Sequence, residues 1–316
     1  IRGGARLSGK VAGVNIGLLD MQTDDAGKVA ANNFGAFRVA KDLPNRSSVG
    51  GIFVSRVATG DLAGKDNWNR SWGVDGKWGI GEKWTLTGFA ARTETPGADD
   101  RERAFSTSIQ YQTRARRTFY EYTEVGADFN PEVGFLERPG DGFRQFFTGW
   151  FENVRTPWLT KHGLREWRPH YSYESFWGYD GFQETATLHV DNAWDFEKGY
   201  TFSPAMNVQW EGLREPFEVY PGIVVPAGSY RSPHAAALFN TDRRKSVSLS
   251  GSYAIGGFLS GNQNSWAPQL NIRKGAAFTS SLRWTISDIS LPQGDFQTNL
   301  GSLRVAYNFS PMINAQ

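Results

Sequence analysis

Cysteine is absent from all 316 residues, which excludes a disulfide framework, thiolate metal sites and a cysteine nucleophile. An excess of one charge is missing too. Lys and Arg number 34 against 32 Asp and Glu, a formal net charge of +2, so no polyanion-binding surface organises the chain and nucleic acid is not an expected partner. Long apolar runs are lacking: the most apolar stretch, Gly222-Ile223-Val224-Val225-Pro226-Ala227, falls far short of the roughly 18 residues a transmembrane helix needs. Helical periodicity is nearly absent as well.

What the chain has instead is 12 Trp, 11 Tyr, 22 Phe and 36 Gly, arranged with a period of two. Val247, Leu249, Gly251, Tyr253 and Ile255 alternate with Ser246, Ser248, Ser250, Ser252 and Ala254. Leu303, Val305, Tyr307 and Phe309 alternate with Ser302, Arg304, Ala306 and Asn308. The pattern predicts about 17 strands of about 9–12 residues, longer than the roughly 5–6 usual in soluble proteins and matched to a tilted bilayer crossing. One face of each strand is large and apolar, and the other is Ser, Thr, Asn, Gln, Arg and Gly. Short links such as Gly9–Gly13, Leu43–Arg46 and Thr241–Lys245 alternate with longer ones such as Thr23–Asn32, Asp128–Asp141, Leu213–Tyr230 and Gly256–Asn264. The expected fold is therefore all-β: a transmembrane antiparallel up-and-down β-barrel in a bacterial outer membrane, residues 1–316 forming a single domain. In the segment 247–255, Val247, Leu249, Tyr253 and Ile255 are expected to face lipid, and Ser248, Ser250 and Ser252 the lumen.

An odd strand count and a first turn on the short-turn side imply an upward strand before residue 1. Met312–Gln316 reads as the start of a further strand. The chain is thus expected to be part of an even-numbered barrel of 18 or more strands, incomplete at both ends.

Several stretches resemble the C-terminal barrel of a bacterial outer-membrane family of unassigned function. They are Gly3–Lys10, Gly17–Asp24, Arg46–Phe53, Trp72–Gly76 and Asp128–Phe135, the last being the most specific. Members of that family usually carry an N-terminal β-sandwich similar to family-nine carbohydrate-binding modules. The resemblance is dense over residues 1–140, implies the same barrel fold and a glycan-associated setting, and brings no catalytic residues with it.

Candidate chemistry is sparse. Of His162, His170, His189 and His234, two (His170 and His189) fall on the polar faces of consecutive strands, near Ser172, Glu174 and Asp191. Ser, His and Asp together suit hydrolysis, and two His with Asp suit a metal. Cross-strand hydrogen bonding along a polar lumen is the expected role, with no catalytic group, cofactor or resident metal. Lumen charges lean basic: Arg6, Lys10, Arg38, Lys77, Arg168, Arg273, Arg283 and Arg304 against Asp75, Glu174, Asp191 and Glu211, a bias that favours anions in a pore. Asp128–Phe135 is expected to be a packed loop rather than a calcium site, since Asp128 and Glu132 alone supply too few oxygens. The basic turns Thr113–Arg117 and Asp242–Lys245 read as solvated turns. Trp68, Trp72, Phe217, Tyr220 and Tyr230 are loop aromatics that pack loops together or stack on sugars.

The expected function is passage or capture of a solute, which the resemblance implies is glycan-derived, by a protein embedded in membrane lipid. A structural or interaction barrel with partner protein subunits is the alternative, favoured by the aromatic density around Gly142–Trp158. A hydrolase in the barrel wall ranks third, and no enzyme is expected.

Overall fold

A computed structural model describes residues 1–98, 101–310 and 313–315. By its internal contacts the chain divides into two compact units. The first comprises Ile1–Thr113, Thr118–Thr148 and Phe176–Phe182; the second comprises Arg114–Arg117, Gly149–Ser175 and Gln183–Gln316.

Through the first unit run β1 (Gly3–Val11), β2 (Val14–Gln22), β3 (Ala31–Leu43), β4 (Ser47–Thr59), β5 (Trp68–Ile80), β6 (Trp84–Glu94) and β7 (Arg103–Gln112). Next come β8 (Arg116–Val125) and β9 (Phe143–Glu152), each shared with the second unit at one end. A one-turn helix α1 (Pro157–Lys161), capped by Thr156 Oγ1 accepting from the Leu159 N–H, precedes β10 (Leu164–Trp177) and β11 (Gln183–Phe196). The second unit continues with β12 (Thr201–Leu213), the short pair β13 (Phe217–Tyr220) and β14 (Ile223–Val225), and β15 (Gly228–Asn240). It ends with β16 (Val247–Phe258), β17 (Gly261–Lys274), β18 (Phe278–Leu291), β19 (Gly294–Ser310) and β20 (Ile313–Ala315).

From β1 to β7 in the first unit, and from β11 to β20 in the second, each strand pairs antiparallel with the next, β12 with β15 across the β13–β14 hairpin. This is the up-and-down meander of the β-barrel class. Seventeen long strands (β1–β12 and β15–β19) match the expected number, and β13, β14 and β20 are short additions. The Met312–Gln316 expectation is met at Ile313–Ala315, which pair with β19; Met312 and Gln316 lie outside the described residues. Asp99 and Asp100, in the connection between β6 and β7, lie outside them as well. Strands exceed the expected length, many reaching 13 or 14 residues, because they extend into what reads as loop. Gly256–Asn264, expected as a longer connection, is a tight hairpin in which Phe258 pairs with Gly261. Only Leu259 and Ser260 turn the chain, Leu259 at φ 46°.

Register turns the period-two pattern into two faces. One rung across four strands runs Leu249, Leu270, Leu282, Leu303; the adjacent rung on the other face runs Ser250, Gln269, Arg283, Ser302. In the first unit Leu7, Leu18, Phe37, Phe53 and Trp72 form the corresponding apolar rung. Val247 and Leu249 are 56% and 51% exposed while Ser248 and Ser250 are 6% and 9%, so the face assignment of this strand holds. Tyr253 is partly covered by Trp266, ring centroids 4.0 Å apart. Departures include Leu19, Ile52, Val54 and Phe89, which share the face of Arg38 and Asp75.

The turns carry their own electrostatics. Between β15 and β16 the Asp242 carboxylate accepts from the Arg244 backbone N–H at 3.0 Å and from its guanidinium at 2.8 Å. Those hydrogen bonds hold its pKa down to about 2 from an ordinary 3.8. A depressed carboxylate pKa contributes stability above the unfolded value, lost as pH falls from 3.8 towards 2. Asp242→Asn is therefore expected to lower the thermal midpoint at pH 6 and to lose most of that deficit as pH falls to about 2, measured by circular dichroism in detergent.

Candidate functional site

The polar face of the first unit is dressed by a loop. After β8 the chain turns at Asp128–Gly134, where the Gly134 N–H donates to the Pro131 carbonyl at 2.7 Å. The loop then lies back on β4, β5 and β6 rather than standing clear of them. Asn69 Nδ2 on β5 donates to the Asn130 carbonyl at 2.8 Å and to Thr95 Oγ1 at 2.9 Å. The Asn130 N–H donates to Thr93 Oγ1 on β6 at 3.0 Å. Arg56 on β4 pairs with Glu132 and donates to Asn32 Oδ1 and Asn67 Oδ1 at 2.9 and 2.8 Å. Asn69 and Thr93 are 1% and 0% exposed, so these polar groups are satisfied by the loop in place of water. Register puts Arg56 opposite Asn69 and Ser71 opposite Thr93, all on the face of Asp75 and Lys77. Gly126 allows the close approach at the loop's root, since a Cβ there would sit 2.1 Å from the Arg101 carbonyl. The packed-loop expectation is met, with Glu132 engaged by Arg56.

In the second unit the β13–β14 hairpin does the equivalent with apolar side chains. Ile223 and Val225 are buried against Ile289 and Leu291 of β18, with Val219, Phe258 and Phe296 around them. Ile289 and Leu291 are on the same side of β18 as Arg283 and Ser281, the polar side, so the hairpin too folds over the polar face. Tyr220 stacks on Phe296, centroids 4.6 Å apart. Of the aromatics read as loop residues, Phe217 and Tyr220 are in this hairpin. Tyr230 packs beside it from β15, whereas Trp68 and Trp72 lie in β5, Trp72 on the apolar face.

Among the described residues, three of the eight basic polar-face residues are paired with carboxylates. Arg38 forms a two-pronged pair with Asp75, its Nη2 donating to Oδ1 at 2.8 Å. Lys10 pairs with Asp42 at 2.7 Å, and Arg168 Nη2 donates to Asp195 Oδ1 at 3.2 Å. Lys77 is exposed on the Asp75 side of β5, and Glu174 is part-buried on β10. Basic charge gathers over β16–β19. Arg273, Arg304, Arg243 and Lys245 line a recess of about 300 Å³ over β16–β19 with Ser248 and Asn271, and no carboxylate is among its lining residues. Arg283 lies on the same face, opposite Gln269 and Ser302.

His170, His189 and Asp191 come together on β10 and β11, as their expected shared face requires. His170 Nε2 and His189 Nε2 are 3.1 Å apart and in hydrogen-bond contact, and His189 Nδ1 meets Asn207 Oδ1 at 2.6 Å. Among the described residues neither imidazole bonds to Ser172. The loop clamp and the basic recess escaped the residue pattern. Asn69 and Asn130 are 61 positions apart, and nothing in a strand's alternation marks which side chain a distant loop will use.

No protein-family model and no curated protein sequence matches the chain. Among solved structures it is similar to Pseudomonas aeruginosa OccK10 (OpdN), at 12% identity and a TM-score of 0.47 over 98% of this chain and 99% of that one. It is similar also to Pseudomonas aeruginosa OccK11 (OpdR), at 13% identity and 0.47 over 93% and 89%. Acinetobacter baumannii OccAB4 follows at 10% identity and 0.46 over 92% and 91%.

Proposed function

We propose that the chain builds the wall of a bacterial outer-membrane barrel that passes or captures a small solute. The observation that carries this reading is the clamped loop: a polar sheet face, shielded from lipid by its apolar opposite, carries a segment held by Asn69, Thr93 and Arg56. A surface that is wet on one side and narrowed by an ordered segment is what selective passage requires. The apolar face meets lipid, as its exposed Leu, Phe and Trp rungs demand. The basic recess of Arg273 and Arg304 favours anionic solutes, and the family resemblance over residues 1–140 inclines the class towards acidic, glycan-derived ones.

The interaction-barrel alternative has less behind it. The aromatics that suggested a protein-facing wall are engaged within the chain: Phe143 with Phe176, Phe147 with Phe119, Trp150 with Tyr171 and Phe151 with His170. A wall hydrolase is disfavoured because the two imidazoles contact each other through Nε2 instead of activating Ser172.

Planar-bilayer conductance of the complete protein tests the reading. Open channels with anion preference are expected, and Arg273→Gln with Arg304→Gln should shift the reversal potential towards cations. A protein that conducts no ions, swells no liposomes and binds no solute would overturn it.

A further inference from the structure

We propose that His170, His189 and Asp191 form a binding site for one divalent transition-metal ion of the zinc class. The two Nε2 atoms are 3.1 Å apart. Two imidazoles sharing a tetrahedral ion at about 2.0–2.1 Å each hold their nitrogens about 3.3 Å apart, so little movement is needed. Asp191 supplies the third ligand: one carboxylate oxygen is 3.9 Å from His189 Nε2 and the other 3.9 Å from His170 Nδ1. One ligand atom from each residue falls within a 4.8 Å group.

Three further observations point to a ligand. Asp191 is buried, and its Oδ1 has no hydrogen-bond partner among the described residues, a destabilising state that a bound cation would relieve. The nearby cation does not serve it, because Arg168 pairs with Asp195. Asn207 Oδ1 accepts from His189 Nδ1 at 2.6 Å, which fixes the proton there and leaves the Nε2 lone pair facing His170, the outer-shell arrangement usual for ligating histidines. The Phe151 ring lies 4.9 Å from His170 at an interplanar angle of 13°, setting the plane of that imidazole. Two His and one Asp leave a fourth position for water or for a donor atom of a solute.

Cobalt titration of the complete protein in detergent tests the site. One Co²⁺ per chain is expected, with the visible absorption of a four-coordinate ion, displaced by Zn²⁺. His189→Ala and Asp191→Asn should each weaken binding more than about 100-fold, and Asn207→Ala by about 10–100-fold. His162→Ala, on an exposed residue outside the cluster, should leave it unchanged. A readout that needs no variant is histidine modification by diethyl pyrocarbonate: Zn²⁺ should protect His170 and His189 and not His162. Absence of stoichiometric binding, binding unaffected by His189→Ala and Asp191→Asn, or equal modification with and without Zn²⁺ would overturn the proposal.

Discussion

A chain carrying Leu249→Arg is expected to lose up to about 2–4 kcal/mol of folding stability in a bilayer, enough to abolish assembly of a marginal barrel. Leu249 begins the Leu249–Leu270–Leu282–Leu303 rung and is half-exposed on the apolar face. In lipid that charge loses its hydration. Urea titration in liposomes, followed by tryptophan fluorescence, measures the loss. Ser250→Arg is not a neutral control. Mild on the alternation alone, it would displace a covered hydroxyl that accepts from Asn271, so packing as well as charge would be disturbed. Thr298, exposed on the polar side opposite Ser287, serves instead, and Thr298→Arg should leave assembly unchanged. Equal damage from Leu249→Arg and Thr298→Arg would sink the face assignment.

The second large effect concerns the clamped loop. Asn69→Ala combined with Arg56→Ala removes both side-chain donors that hold Asn130 and Glu132. A buried acceptor deprived of its donor costs about 1–3 kcal/mol locally, so the segment Asp128–Gly134 should leave the polar face while the strand ladder persists. Conductance of the variant should rise several-fold and its size discrimination fall, with little change in the strand signal by circular dichroism. An unchanged conductance with a released loop, detected by proteolysis within Asp128–Gly134, would mean that the loop guards nothing.

Side-chain alternation is a local property, and it is why so much of the fold was legible. A strand cannot present Ser248 and Leu249 to the same side, so the faces, the seventeen long strands and the short turns follow from neighbours in sequence. Asp128–Phe135 was readable as a packed loop for a similar reason, through Asn-Pro and Gly134. Where it packs was not readable. The partner groups Asn69, Thr93 and Arg56 sit in strands whose pattern would be the same without the loop. The charge lean of the polar face likewise could not be summed from composition. Arg38 is cancelled by Asp75 across 37 residues, whereas Arg273 and Arg304 meet Arg243 and Lys245 in one recess. His170, His189 and Asp191 were recognisable as neighbours on one face, but the 3.1 Å approach of the imidazoles and the unpartnered oxygen of Asp191 belong to the folded chain. The sequence by itself determined which side of each strand is apolar, since that depends on backbone geometry alone. Only the tertiary structure decided which buried polar groups find each other, since that depends on register and on loops returning over residues far away in the chain.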